Sequence, residues 1–362
     1  MKKASRKLQE VLSRYSNIII VIQGSPDPDA MASSFVFHKM CERMGVKSSI
    51  VAKKNLSLPV NREFVKLLSM PIHFVKKIEP RDSFDAYAIL DHQSAVVNDI
   101  IIPCAVHIDH HIPALEQVEA DFRILDTQAG STCTIIALLL KDLGLTFDPD
   151  DFTAIATALL YGIHSDTDKY DHAGEKDYEA LNYISRYSDN AVLQKLAEYP
   201  LSEKTVRLIG QAIERQEIYR DWLIAGIGYL DSSERDSLPI IADYLLKRES
   251  RFTVVVYAAV EDKERNKLTL EASFRSRKEH LNLNDIIKEI TAEGGARKYK
   301  GAYQIHLDYF YHCPDRELLW NVIRNTTMEV LKQRRDNMFI TELKGFYHRV
   351  KDALSELLSP EE

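Results

Sequence analysis

Three apolar, β-branched runs in the first half of the chain end in acidic or imidazole groups. This repeat constrains the fold more than any other feature. Ile18–Ile22 leads into Gln23-Gly24-Ser25-Pro26-Asp27-Pro28-Asp29, Ala86–Leu90 into Asp91, and Ala105–Ile108 into Asp109-His110-His111. Between such runs lie amphipathic stretches, with helices expected at Met31–Met44, Arg62–Ser69, Ser131–Leu143 and Phe152–Tyr161. A further strand is expected at Ser49–Ala52. Strand and helix patterns in alternation predict an α/β fold with a mainly parallel sheet. Such sheets gather residues from distant strand ends into one crevice.

With 362 residues the chain exceeds most single cores, and two domains are expected. From about Tyr178 to Tyr219 the pattern is helical. Strand signals return at Trp222–Tyr229, Phe252–Ala259 and Lys267–Phe274. A helix at Leu281–Ile290 and a strand-like Ala302–Leu307 follow, and together these read as a smaller α/β domain. Helices at Arg316–Arg334 and Phe339–Leu357 close the chain. The net charge of −7 shows no broad cationic footprint, which argues against long duplex substrates and a processive nuclease. Cys41, Cys104, Cys133 and Cys313 form no CxxC pair and read as reduced core thiols of a cytoplasmic protein. Residues 1–17 lack the apolar core of a signal peptide, and the longest apolar runs are too short to span a bilayer, so no membrane partner is expected.

The chemistry concentrates in four places. Asp27 and Asp29, one residue apart on a proline-stiffened segment, can address neighbouring cations; Pro and Asp are also ordinary turn residues. Asp91 sits where open α/β sheets place ligands, although a cap or turn role would look the same. Asp109-His110-His111 mixes carboxylate with imidazole, a donor set suited to a hydrolytic metal site. Asp166, in Gly162-Ile163-His164-Ser165-Asp166-Thr167-Asp168, is the fourth candidate; His164, Asp168 and His172 read as neighbours or surface. No GxGxxG or P-loop spacing occurs, so dinucleotide or NTP binding lacks support.

In order and spacing, Pro26–Ala30, Asp91, Asp109-His110-His111 and Gly162-Ile163…Asp166-Thr167 resemble the four motifs of the DHH phosphoesterases, of the RecJ-like, nanoRNase and pAp phosphatase type. Gly130-Ser131-Thr132 is similar to a segment between the third and fourth motifs. Ser273-Phe274-Arg275-Ser276 and Gly294-Gly295-Ala296-Arg297 resemble the DHH-associated domain. The resemblance covers about residues 17–313. It implies a catalytic domain at 1–190, a helical linker at 191–220, a substrate-binding domain at 221–314 and C-terminal helices at 315–362. It also implies two Mn²⁺ ions, with Mg²⁺ as second choice. Gln23, Asp27 and Asp91 would hold one; Asp29, Asp91, His110 and Asp166 would hold the other. His111 would face the phosphate and Asp109 would orient the site. Arg275, Ser276, Gly294, Gly295, Arg297 and Lys300 would contact substrate.

Two departures stand out. The family usually has histidine where this chain has Gln23, so that cation would bind weakly, prefer Mg²⁺ or recruit His92. The glycine motif, often Gly-Gly-Gly-His, here ends in Ala296-Arg297. The activity implied is hydrolysis of short 5′-phosphorylated oligoribonucleotides or small nucleotides such as pAp or linear dinucleotides, by a chain that could form a homodimer. The alternatives are an inorganic pyrophosphatase or exopolyphosphatase-like enzyme, and a non-catalytic nucleotide-binding protein on the same fold.

Overall fold

A computed structural model describes residues 2–56, 58–78, 84–98, 100–112, 118–278, 281–296 and 299–358, with side chains through residue 340. The chain forms two compact units, Met1–Tyr199 and Pro200–Glu362.

The first unit runs α1 (Lys2–Leu12), β1 (Asn17–Ile22), α2 (Pro28–Arg43), β2 (Lys47–Ala52), α3 (Pro59–Leu67), β3 (Ile72–Phe74), β4 (Ala86–Leu90), β5 (Cys104–Asp109), β6 (Ala120–Leu125), α4 (Thr132–Leu143), α5 (Pro149–Asp166), α6 (Glu175–Ile184) and α7 (Asn190–Ala197). Its strands pair in the order β3-β2-β1-β4-β5-β6, and every pairing is parallel. The chain builds outward from β1 on one side, then returns to its other side. The carboxyl ends of β1 and β4 therefore flank a switch point, where such sheets leave a crevice for ligands.

β4 and β5 are buried at every residue, which explains why they read as continuous apolar runs rather than alternating ones. One face packs Ile18, Ile20, Leu90 and Ile108 against Met31, Phe35, Leu139 and Leu159 of the helices. The other packs Ile19, Val21, Tyr87 and Ile89 against Ile78, Ala95 and Val97, which lie in connecting segments.

Three elements of this unit differ from the sequence reading. α5 begins earlier and continues to Asp166, so Gly162 lies inside it rather than ending it. A Cβ there would sit 2.4 Å from Cys133 Sγ. The glycine is thus the contact that lets α5 close on α4. Short edge strands β3 and β6 were not signalled, because their mixed burial leaves no clean apolar run.

The second unit runs α8 (Glu203–Glu214), β7 (Gln216–Tyr219), β8 (Trp222–Asp231), α9 (Ser237–Arg248), β9 (Thr253–Asp262), β10 (Lys267–Ser276), α10 (Leu283–Ile290), β11 (Gly294–Ala296), β12 (Lys300–His306) and α11 (Arg316–Leu358). Its sheet, ordered β11-β12-β10-β9-β8-β7, is antiparallel except between β8 and β9. α8 and α9 cover one face through Leu208, Ala212, Ile241 and Leu245. α10 and the first half of α11 cover the other, with Ile287, Leu319, Ile323 and Leu331 packed against Trp222, Tyr257 and Phe274.

The stretch read as a helical linker, 191–220, divides between the units: α7 lies in the first, α8 and β7 in the second. α9, absent from the sequence reading, carries Pro239 in its first turn, where proline is tolerated. The two closing helices are one. Polar residues alone do not end a helix, and 316–344, which spans the expected break, contains neither glycine nor proline. At the expected break, Asp336 accepts hydrogen bonds from Tyr219 and Arg220 at 2.7 Å, and Arg335 bonds Asp221. Among the described residues, no helix is long and apolar enough to cross a membrane.

Candidate metal centre

The strand ends described above bring their acidic groups together. Asp91 follows β4, Asp109 ends β5, and His110 and His111 come next. Asp29 lies in the first turn of α2 and Asp166 in the last of α5. His110 Nε2 lies 3.0 Å from Asp166 Oδ2, 3.5 Å from Asp91 Oδ1 and 3.9 Å from Asp29 Oδ2. Its Nδ1 faces the Ala129 carbonyl at 3.3 Å, which turns Nε2 toward the carboxylates. Asp29, His110 and Asp166 offer ligand atoms within 4.8 Å of one another, and so do Asp91, His110 and His111.

Ordinary electrostatics disfavours this cluster in isolation. Burial, then the charge of Asp166, pushes Asp29 up to about 6. Burial and the charges of Asp29, Asp27, Asp166 and Asp109 raise Asp91 well above the usual carboxylate range. Buried like charges require a cation or a proton. The donor set, hard oxygens with one imidazole, fits a divalent cation.

The backbone is arranged to keep the cluster in place. Asp91 adopts φ +56°, a left-handed conformation uncommon for a non-glycine residue and found disproportionately at functional sites. His107, fully buried on β5, holds the following residue: its Nε2 donates to the His92 carbonyl at 2.8 Å. At the start of α4, Thr132 and Cys133 donate their N–H groups to the two oxygens of Asp29 at 2.7 and 2.8 Å. Thr132 Oγ1 also donates to Asp91 Oδ1 at 3.1 Å. A helix N-terminus favours a carboxylate at this position. Neither the contact made by His107 nor the α4 amides could be read from the sequence; only the Gly130-Ser131-Thr132 segment hinted at the latter.

His111 Nδ1 lies 2.7 Å from Asp109 Oδ1. Burial works against ionisation of Asp109, but the bond to His111 and the nearby imidazoles outweigh it and hold its carboxyl below the usual range. The pair fixes Nδ1 as the nitrogen that donates to Asp109.

The expected residues differ in how they join this centre. Asp27 belongs to neither ligand cluster and caps α2, accepting from Ala30 N at 2.9 Å, yet its charge is felt at Asp29 and Asp91. Gln23 donates its Nε2 to the Val96 carbonyl at 2.8 Å. That leaves Oε1 as its only ligand atom. His92 binds the Ser94 carbonyl through Nδ1.

In the second unit, Arg275 is buried. Its Nε and Nη2 grip Asp243 at 2.7 and 3.2 Å, while Nη1 donates to Ser273 Oγ and the Phe274 carbonyl. Four of about five guanidinium donors are thus engaged within the unit, which makes Arg275 a tie between β10 and α9 first and a phosphate contact only through what remains. Ser276 Oγ is likewise engaged, with Thr253 Oγ1 and the Phe252 carbonyl. Gly294 and Gly295 lie in β11 and Lys300 in β12, cross-strand from Arg275. A Cβ at Gly294 would meet Tyr303 and Ile287 under 3 Å, so packing alone demands glycine there. Arg297 lies outside the described residues.

Comparison with known proteins bears on the first unit directly. Residues 17–163 match the DHH family, N-terminal domain. The first unit is a DHH-family domain. It belongs by family to the metal-dependent phosphoesterases, and its acidic, imidazole-bearing centre carries the groups such chemistry uses. An uncharacterised protein of Methanocaldococcus jannaschii is 29% identical over 338 residues, covering 91% of this chain and 67% of the relative. The fold is shared with an exopolyphosphatase-related protein from Bacteroides fragilis: TM-score 0.69 at 17% identity, over 93% of this chain and 96% of that one. RecJ from Thermus thermophilus, in complex with Mg²⁺, aligns with TM-score 0.41 at 10% identity, over 86% of this chain and 50% of its own.

Proposed function

We propose that this phosphoesterase hydrolyses short 5′-phosphorylated oligoribonucleotides or small nucleotides, with the first unit cutting and the second holding substrate. The supporting observation is the convergence of Asp29, Asp91 and Asp166 on His110 Nε2, at 3.0 to 3.9 Å, beside the Asp109–His111 pair. Asp29, Asp91, His110 and Asp166 would hold one cation; Asp27, Asp91 and Gln23 Oε1 would hold a second, more weakly. Bound divalent cations supply positive charge that acidifies water and balances charge developing on phosphoryl oxygens. Mn²⁺ suits the imidazole-containing set and Mg²⁺ the all-oxygen one.

The protein's own groups do the rest. Asp109 accepts from His111 Nδ1 and orients the ring, whose Nε2 would serve in proton transfer to a departing oxygen. Thr132 and Cys133 fix the Asp29 carboxylate, and Thr132 fixes that of Asp91, so neither needs to reorganise during reaction. The net charge of −7 supports small or short substrates over long polyanions.

The test is product release with added Mn²⁺ from 5′-phosphorylated RNA dinucleotides, longer oligomers, adenosine bisphosphate and pyrophosphate. An Asp29→Ala protein controls for contaminants. Turnover confined to nucleotides and lost in the variant supports the proposal; preferred cleavage of pyrophosphate or polyphosphate would replace it. Bound nucleotide without turnover on any compound would indicate a binding protein instead.

Gln23 gives a separate expectation. Gln23→His should tighten Mn²⁺ binding and raise turnover by about tenfold, the scale on which small changes around metal ligands act. Calorimetric titration of Mn²⁺ measures this. An unchanged affinity would show that position 23 takes no part in binding.

A further inference from the structure

Outside every motif named above, one carboxylate is more heavily engaged than any motif residue requires. Asp177, in the first turn of α6, is fully buried. Its Oδ1 accepts the Gly130 N–H at 2.9 Å and the Thr134 hydroxyl at 2.5 Å. Its Oδ2 accepts the Gly174 N–H at 2.7 Å and shares that of Gly130 at 3.1 Å. The Gly174 bond is an ordinary helix cap. The bonds to Gly130 and Thr134 are not, because they cross to a segment more than forty residues earlier.

That segment, 129–134, touches three members of the metal centre. The Ala129 carbonyl faces His110 Nδ1; the Thr132 and Cys133 amides hold Asp29; the Thr132 hydroxyl holds Asp91. The fit around Gly130 is tight. A Cβ there would sit 2.5 Å from Asp177 Oδ2 and 2.6 Å from Thr167 Cγ2, next in sequence to Asp166. We propose that Asp177 is a positioning residue of the metal centre, setting His110, Asp29 and Asp91 through the segment 129–134. This rests on the metal-centre reading above. Partners that orient metal ligands commonly change affinity by about 10- to 100-fold when removed.

Asparagine is the sharp substitution. Both Asp177 oxygens face hydrogen-bond donors, so either orientation of an amide sets its NH₂ against an N–H or O–H. The control is Asp189→Ala, since Asp189 caps α7 by accepting from Ala191 N and Val192 N and alanine removes that cap alone. Mn²⁺ affinity is measured by calorimetric titration of the full-length proteins, alongside melting temperature and turnover. Asp177→Asn should raise the Mn²⁺ dissociation constant about tenfold and lower kcat more than it raises KM. Asp189→Ala should lower the melting temperature and leave Mn²⁺ affinity within about twofold. Should Asp177→Asn fail to fold, Thr134→Val removes one donor while keeping side-chain shape, and is expected to weaken Mn²⁺ several-fold. Wild-type affinity in the folded Asp177 variant, or in Thr134→Val where that variant is needed, overturns the inference alone. Absence of Mn²⁺ binding by the wild-type protein overturns the metal-centre reading with it.

Discussion

Replacing Asp91 with asparagine is expected to abolish turnover while raising the melting temperature of the metal-free protein. The two effects share one cause. Asp91 is buried, and its carboxyl is raised by burial and by the charges of Asp29, Asp27, Asp166 and Asp109. An amide removes that repulsion. It also keeps the backbone, since asparagine is among the residues that tolerate a left-handed φ such as the +56° here. Cation binding reverses the balance, because the charge that destabilises the empty centre is the charge that holds the ion. Loss of a ligand shared by both proposed cations should lower kcat by more than about 10²-fold, exceeding the range for partners one step removed. The melting-temperature gain caused by Mn²⁺ should shrink accordingly. Steady-state kinetics and scanning calorimetry, with chelator and with Mn²⁺, measure both. Retained turnover would remove Asp91 from the centre. A lower melting temperature in chelator would mean that the Thr132 hydrogen bond outweighs the repulsion.

The residues legible in the sequence are those whose position follows from local pattern. Asp91 and Asp109-His110-His111 stand out because buried parallel strands read as apolar runs, and a charge at their ends breaks the run abruptly. Asp166 was visible as a carboxylate, but not as the last turn of α5, because Gly162 reads as a stop when only its contact with Cys133 explains it. What local pattern cannot carry is pairing across the chain. Arg275 looked like a phosphate contact since nothing nearby announces Asp243, 32 residues earlier, as its partner. Asp177 looked like an unremarkable helix-start acid for the same reason: its bonds to Gly130 span 47 residues. Gln23 stands out in the sequence as a departure from the family pattern, but its bond to the Val96 carbonyl reaches 73 residues away and only the fold reveals it.

Without divalent cations, the protein should lose stability as pH rises from about 4 to about 6, and saturating Mn²⁺ should flatten or invert that slope. Asp29 is raised from 3.8 to about 6, by burial first and Asp166 second. Between those values the native state keeps a proton that the unfolded chain has released, so rising pH favours unfolding. At ~1.4 kcal/mol per pH unit, the contribution from Asp29 is on the order of 3 kcal/mol. Asp91, shifted in the same direction, adds to it. Asp109 acts oppositely: its carboxyl lies below the usual range, so its contribution is present above the ordinary carboxylate value and lost as pH falls through its own. That places Asp109 in more acidic solution, outside the window. Cations bind the deprotonated carboxylates, so their affinity rises through the same interval and offsets the loss. Turnover should rise over this interval as well and vanish in chelator. Scanning calorimetry from pH 4 to 7, with chelator and with Mn²⁺, separates the two curves. If the metal-free protein proves more stable near pH 7 than near pH 5, the carboxylates around His110 are not forced together, and the centre has no electrostatic demand for a cation.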